Sequence, residues 1–140
     1  MKHKILIITV AFAMLFYAGC SSKKGVPFTN LVQDVVVKIT MRHPGSGVLY
    51  STTDEKLINK FVSEMEHGGG DYYEIDPVGL VGSSVYRLFN AENTEIATII
   101  FYEKGKIEIN DKLYHVKADI EGILNPFFEE YLTDKNIVEE

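Results

Sequence analysis

The 140-residue chain contains one cysteine, Cys20, and no tryptophan. A single thiol cannot form a disulfide within the chain or build a cysteine-rich metal site, so a packed core has to stabilise the fold. Basic residues are scarce as well, because 14 Lys and Arg stand against 20 Asp and Glu. Non-specific binding to a phosphate backbone depends on cationic surface, so this balance argues against a nucleic-acid partner.

A hydrophobic run long enough to span a bilayer is also missing. The apolar stretch from Ile5 to Ala18 is shorter than the roughly 20 residues that a membrane-crossing helix needs. Lys2 and Lys4 precede this stretch, and Ala18-Gly19-Cys20 follows it. A basic start, a short apolar segment and small residues before a cut are typical of a secretory signal peptide.

Ala18, Gly19 and Cys20 resemble the lipobox of bacterial lipoproteins, and the whole chain looks similar to small uncharacterised lipoproteins of Gram-positive bacteria. The resemblance implies that residues 1–19 are a signal peptide and that Cys20 carries a diacylglycerol, with acylation of its new amino group as a further step. It also implies a protein anchored to the cell membrane and facing outside the cytoplasm. Two acyl chains give stable anchoring where one chain binds only marginally. No other cofactor is predicted.

Residues 20–30 are predicted to be the lipidated cysteine and a flexible tether, because Ser21 to Asn30 is polar, contains Gly25 and Pro27, and lacks apolar periodicity. Ten extended residues reach at most about 35 Å. Without the signal peptide, 12 basic residues face 20 acidic ones, a formal charge of −8. We therefore expect the domain to stand off an anionic membrane on this tether.

Residues 31–140 are predicted to form a single domain. Val32 to Thr40 is rich in β-branched residues and predicts a first strand, which His43 to Gly47 ends. Thr52-x-x-Glu55 has the form of a capping box, and the apolar residues after it have helical spacing: Leu57, Ile58, Phe61, Val62 and Met65. Gly68-Gly69-Gly70 is expected to end this helix.

Four strand-like runs separated by short turns then predict an antiparallel meander: Ser83 to Asn90, Thr94 to Glu103, Lys106 to Asn110 and Lys112 to Lys117. Because Thr94 to Glu103 is apolar on both faces, we expect it at the centre of the sheet. Ala118 to Leu132 predicts a closing helix, which Pro126 either kinks or divides in two.

This order of strand, helix, four antiparallel strands and helix predicts an α+β fold, with a curved antiparallel sheet and helices packed on one face. In element order the domain resembles the TATA-box-binding-protein-like fold. The resemblance implies nothing about DNA binding, because a fold does not dictate a function.

Two groups of residues raise the question of catalysis. Glu64, Glu66, His67 and Asp71 surround the triple glycine, but Glu66 and His67 are adjacent, whereas zinc ligands are usually one helical turn apart. His43 and His115 could each partner Ser46, but Gly45-Ser46-Gly47 lacks the G-x-S-x-G spacing of a nucleophile elbow. No metal ligand and no catalytic residue is predicted.

The segment Asp71 to Asp76 is the predicted ligand or partner site, with Tyr72 and Tyr73 as aromatic contacts and Asp71, Glu74 and Asp76 as carboxylates. Tyrosine is enriched at recognition surfaces, and the carboxylates favour a cationic ligand or a basic envelope protein. The alternative is that the tyrosines pack over the edge of the core.

The sequence thus predicts a lipid-anchored envelope protein that acts as a non-catalytic binding or accessory module. Two alternatives stay open: a small envelope hydrolase or metal-dependent enzyme, and an inhibitor or immunity-type protein. The enzyme predicts a pocket in which histidines meet carboxylates, and the inhibitor predicts a complex that salt weakens steeply.

Overall fold

A computed structural model describes residues 24–77, 79, 82, 84–102, 105–122 and 124. The predicted signal peptide, Cys20 and the predicted helix beyond residue 124, including Pro126, lie outside these residues. Within the described part of the chain, no helix combines the length and the apolar character needed to cross a membrane.

The described chain alternates short helices with seven strands. Helix α1 covers Phe28–Leu31 and helix α2 covers Glu55–Ser63, which continues into a π-helical turn over Glu64–Gly68. Residues 120–122 and 124 are also helical. The strands are β1 (Lys38–Arg42), β2 (Leu49–Thr52), β3 (Tyr73–Glu74), β4 (Val85–Phe89), β5 (Glu95–Phe101), β6 (Lys106–Ile109) and β7 (Lys112–His115).

The strands form one antiparallel sheet in the order β2-β1-β4-β5-β6-β7-β3. The predicted α+β class and curved antiparallel sheet are confirmed. β5 occupies the middle of the seven positions, as its two apolar faces predict. β2 and β3, the two edge strands, are additions to the predicted order.

One face of the sheet packs against α2 and builds the core. Its cross-strand neighbours include Ile39 opposite Leu88 and Met41 opposite Tyr86, and each is less than 5 % exposed. Phe61 of α2 is fully buried and its ring centroid lies 5.3 Å from that of Tyr86. Each large apolar side chain buried in this way contributes about 1.5–3 kcal/mol, so the apolar stripe of α2 fixes that helix on the sheet.

The start of α2 differs from the prediction by two residues. Asp54 is the N-cap, and its Oδ1 accepts hydrogen bonds from the amides of Lys56 at 2.8 Å and Leu57 at 3.2 Å. Thr52 Oγ1 accepts instead from the Asp54 amide at 3.1 Å. Thr52 ends β2, so its backbone belongs to the sheet and cannot also cap the helix.

The predicted first strand is shifted toward the C-terminus. β1 begins at Lys38, and Val35 before it is 73 % exposed. Asp34 Oδ1 accepts a hydrogen bond from the Val35 amide at 2.7 Å, and its Oδ2 accepts one from the Asn90 side chain at 2.9 Å. These bonds hold residue 34 in a bend and lower the pKa of its carboxyl, the Asn90 bond contributing most. Local side-chain bonding therefore outweighs the β propensity of the valines here.

The break after β1 is the loop of a hairpin. His43 and Val48 close it through an amide-to-carbonyl bond of 2.9 Å, and Gly47 takes a φ of 72° that favours glycine. β2 then pairs with β1 from Leu49 to Thr52. A four-residue run without clear alternation gives little sequence signal, and its pairing partner decides its conformation.

Part of the predicted tether is packed against the domain. Val26 forms an isolated antiparallel bridge with Tyr72, with hydrogen bonds of 3.0 and 2.8 Å, and Phe28 in α1 is only 1 % exposed. The packed chain therefore includes Val26 and the start of α1, which lie within the stretch predicted to be a flexible tether.

Candidate binding cavity at the edge of the sheet

The predicted binding segment forms the β3 edge of the sheet. β3 pairs with β7, placing Tyr73 opposite His115 and Glu74 opposite Tyr114. The Ile75 amide extends the pairing by donating to the Leu113 carbonyl at 2.9 Å. The two-residue strand is thus fixed by backbone bonds to β7 on one side and, through Tyr72, to Val26 on the other.

Tyr72 is a core residue, and its side chain has no exposed surface with which to touch a partner. Its side chain is fully buried, its hydroxyl donates to the Met65 carbonyl at 2.6 Å, and its ring lies 5.9 Å from Phe28 and 6.1 Å from Tyr114 between centroids. Burial, with a smaller effect of Glu66, raises the pKa of Tyr72 well above its ordinary value. The alternative interpretation, in which a tyrosine packs over the core edge, holds for this residue.

The other four predicted residues lie closer to solvent. Tyr73 is half-buried, and Asp71, Glu74 and Asp76 are exposed. Tyr73 and Asp71 lie close to Gly25, where a Cβ atom would be only 2.9 Å from Tyr73 Cζ. Glycine at position 25 thereby lets the N-terminal segment approach this edge closely.

A cavity of about 520 Å³ opens between the N-terminal segment, α1 and this edge. Val26, Leu31 and Tyr114 supply apolar walls, and Tyr72 lies beneath them. The volume falls in the range of small-ligand sites, which are mostly apolar with a few polar groups that orient the ligand.

The polar groups of the cavity are two lysines and a glutamate: Lys24, Lys112 and Glu74. Lys112 Nζ lies 3.3 Å from Glu74 Oε2, and both side chains are more than half exposed. Burial raises the pKa of Tyr114, while Lys112 opposes the shift and Glu74 adds to it. The cavity therefore offers an apolar hollow with ammonium groups at its rim.

Sequence reasoning found Glu74 but missed Lys24, Lys112 and Tyr114. Lys24 falls within the stretch predicted to be the tether, and Lys112 within a predicted strand. The alternation of Lys112 and Tyr114 along one strand could have indicated a shared face, but only the bridge between Val26 and Tyr72 brings the N-terminal segment to it.

The three described histidines considered for catalysis are held at separate places by neighbouring backbone. His43 Nδ1 accepts hydrogen bonds from the amides of Gly45 and Ser46 at 3.1 and 3.2 Å, so this ring organises the hairpin loop. Ser46 Oγ accepts from the Val48 amide at 3.3 Å. His115 Nδ1 lies 2.9 Å from the Gly105 carbonyl, a bond in which the imidazole is the donor. These contacts do not pair Ser46 with His43 or His115. Ser63 Oγ lies 3.5 Å from His67 Nδ1, one helical turn away, but His67 Nδ1 lies closer, at 3.1 Å, to the Ser63 carbonyl.

The acidic residues near the triple glycine have a structural role instead. Glu66 accepts hydrogen bonds from the Thr29 amide at 2.8 Å and from Thr29 Oγ1 at 3.3 Å, which connects the π-helical turn to α1. His67 Nδ1 lies 3.1 Å from the Ser63 carbonyl within its own helix. Among the described residues, no three His, Cys, Asp or Glu side chains lie close enough together to hold a metal ion.

Two smaller cavities lie elsewhere. One of about 300 Å³ is bounded by β5, β6 and the stretch from Asp119 to Gly122. Glu121 accepts a 2.8 Å hydrogen bond from the buried Ser84 hydroxyl, so it ties that stretch to the start of β4. The other, of about 280 Å³, lies on the opposite sheet face beside Arg42 and Arg87.

Comparison with protein-family models, with curated proteins and with solved structures gives no match to this chain. The likeness to bacterial lipoproteins and to the TATA-box-binding-protein-like fold stays a prediction. Any function has to be argued from the residues themselves.

Proposed function

We propose that the protein is a lipid-anchored, non-catalytic binding or accessory module on the outer side of the cytoplasmic membrane. The observation that carries the proposal is the sequence from Lys2 to Cys20, in which a basic start and an apolar segment lead to Ala18-Gly19 and the sole cysteine. A diacylglycerol on Cys20, with a further acyl chain on its amino group, anchors the module, and neither another cofactor nor a nucleic-acid partner is part of the proposal.

The binding part of the proposal places a partner at the β3 edge. Asp71 and Asp76 are exposed there, and Glu74 is exposed beside them. Carboxylates on one short segment attract a basic envelope protein or a cationic ligand, and half-buried Tyr73 adds an aromatic surface. Tyr72 contributes by holding the segment rather than by touching the partner.

Lipidation is tested by the mass of the N-terminal peptide of the protein purified from membranes. We expect a peptide that begins at Cys20 with acyl chains attached, and we expect Cys20→Ala to remove both the modification and the detergent-phase partitioning. An unmodified N-terminus at Met1 in membrane-bound protein would contradict the anchor.

Binding is tested by capture from solubilised envelope, with the parent protein beside an Asp71→Asn, Asp76→Asn variant. We expect a captured basic protein to be lost with this variant and kept with a matched control, Glu92→Gln with Glu55→Gln, whose carboxylates are exposed in the turn between β4 and β5 and at the start of α2. Equal capture by both variants would remove the β3 edge from the proposal. Tyr72 is left unchanged in both variants, because loss of its buried ring would unfold the edge.

A further inference from the structure

Two hydrogen bonds shorten the connection between the anchor and the domain. Val26 is fixed to Tyr72 by reciprocal backbone hydrogen bonds of 3.0 and 2.8 Å, and α1 follows with Phe28 in the core. Between Cys20 and Val26 the chain has five residues, which when fully extended place Val26 at most about 20 Å from the anchor.

This attachment point distinguishes the two edges of the sheet. Val26 lies at the β3 edge, whereas β2 lies at the opposite end of the seven-stranded order. Six spacings of about 4.8 Å put the β2 edge about 29 Å from β3 when measured along the curved sheet. A short tether at one end of the sheet therefore favours an orientation in which the β3 edge is nearer to the bilayer.

The β3 edge is less acidic than the chain as a whole, because two lysines stand there against the three carboxylates of the 71–76 segment. The mature sequence has a formal charge of −8, but the cavity nearest the tether has Lys24 and Lys112 at its rim. A lysine within a Debye length of an anionic leaflet is attracted to it. Glu74 beside Lys112, and exposed Asp71 and Asp76 on the same segment, oppose that attraction.

A weak contact is sufficient in this arrangement. An acyl anchor a few residues away keeps the lysines near the surface at a high effective concentration, so the contact sets orientation and does not have to supply affinity. The apolar walls from Val26, Leu31 and Tyr114 suit the glycerol side of a headgroup, and the ammonium groups suit its phosphate.

We infer that the anchored domain lies with its β3 edge against the bilayer, and that Lys24 and Lys112 contact the phosphate of anionic phospholipid headgroups there. This inference rests on the proposed lipid anchor. It replaces the expectation that the acidic domain stands off the membrane on a ten-residue tether.

The test uses the full acylated protein reconstituted in phosphatidylcholine vesicles with and without phosphatidylglycerol. With Cys20 acylated, an introduced cysteine is the single free thiol and can carry a fluorophore. Asn30→Cys reports on α1 beside the cavity, and Thr53→Cys reports on the chain just after β2; both positions are exposed. Headgroup spin labels quench whichever fluorophore lies at the bilayer surface.

We expect strong quenching at position 30, weak quenching at position 53, and more quenching at position 30 when phosphatidylglycerol is present. Lys24→Glu with Lys112→Glu is expected to reduce the signal to its level in phosphatidylcholine alone. The same change of charge at Lys56 and Lys60, on α2, is expected to leave the signal unchanged. Equal quenching at both reporters, or no effect of the lysine variant, would overturn the inference.

Two further measurements distinguish a lipid headgroup site from a free-phosphate site, and failure of the orientation from failure of the anchor. Excess inorganic phosphate at constant ionic strength is expected to leave the quenching unchanged; its loss would show a site for free phosphate and overturn the lipid assignment. Protein that fails to associate with any vesicle has lost its anchor, and the proposed function then fails too. Protein that associates but shows no difference between reporters refutes the orientation alone.

Discussion

The two edges of the sheet are held by different kinds of contact. β2 joins β1 through a short hairpin loop, and its backbone partners all lie within the segment from Ile39 to Thr52. β3 joins residues that are remote in sequence, since Tyr72 pairs with Val26 and Tyr73 with His115. The β2 edge can form from local contacts, whereas the β3 edge requires three distant segments to meet.

Distant contacts carry a larger loop-closure entropy, so the β3 edge depends more strongly on each packed group that joins it. Those groups are the buried ring of Phe28, the hydroxyl of Tyr72 on Met65, and the carboxylate of Glu66 on Thr29. The proposed partner contact, through Asp71 and Asp76, and the proposed membrane contact, through Lys24 and Lys112, use different side chains of this edge. The comparison therefore predicts that stability and function are most closely connected here.

The largest expected effect comes from removing the ring that fixes the N-terminal segment. Phe28→Ala should reduce the free energy of unfolding by about 3–5 kcal/mol, because a large buried side chain is replaced by a cavity. Urea denaturation of residues 20–140 with Cys20→Ser measures the change. Val35→Ala, at a 73 % exposed position, is the control and should stay within about 0.5 kcal/mol. If the two variants were equally stable, the N-terminal segment would not belong to the core. The β3 edge would then not depend on contacts with this distant segment.

A smaller loss of stability is expected from a substitution at Gly69, where the backbone passes close to the Tyr72 hydroxyl. A Cβ atom at Gly69 would lie 2.8 Å from the Met65 carbonyl oxygen and near the Tyr72 hydroxyl. Gly69→Ala should therefore destabilise the protein by about 1–3 kcal/mol through overpacking. The same denaturation curves measure it against Gly79→Ala, a position with open space around it. A neutral Gly69→Ala would mean that the β3 edge adjusts easily, contrary to the tight packing described.

The caps of α2 and α1 allow stabilisation by a nearby residue to be compared with stabilisation by a distant one. Asp54 caps α2 from two residues past β2, whereas Glu66 caps α1 from 37 residues away. Each replacement by alanine should cost about 0.5–2 kcal/mol. Hydrogen exchange distinguishes them: Asp54→Ala should lower protection across α2 and the core, and Glu66→Ala should lower it mainly at Thr29 and the rest of α1. Global loss from Glu66→Ala would show that α1 unfolds only with the whole domain.

The same contrast explains how much could be predicted from the sequence. The four strands of the meander, the central place of β5 and the apolar stripe of α2 follow from periodicities that local sequence encodes. β2 and β3 have four and two residues, too few for a period to appear. Their conformation is decided by partners elsewhere in the chain.

The candidate site shows this limit more clearly. An acidic and aromatic segment at residues 71–76 was identifiable, but the division between buried Tyr72 and half-buried Tyr73 depends on the alternation set by pairing with β7. Lys24 and Lys112 are 88 residues apart and become neighbours of one cavity only through the Val26–Tyr72 bridge. No local pattern contains that bridge.

The smallest expected effect concerns the ion pair at the rim of the cavity. Lys112 Nζ and Glu74 Oε2 are 3.3 Å apart, but the side chains are 60 % and 53 % exposed. Because solvent screens such pairs, Lys112→Ala should change the free energy of unfolding by less than about 0.5 kcal/mol, and added salt should reduce even this difference. Denaturation at low and high salt measures it. A larger loss of stability would mean that Lys112 supports the β3 edge itself. If the loss is small, the lysine variants can report on the membrane contact without a change in folding.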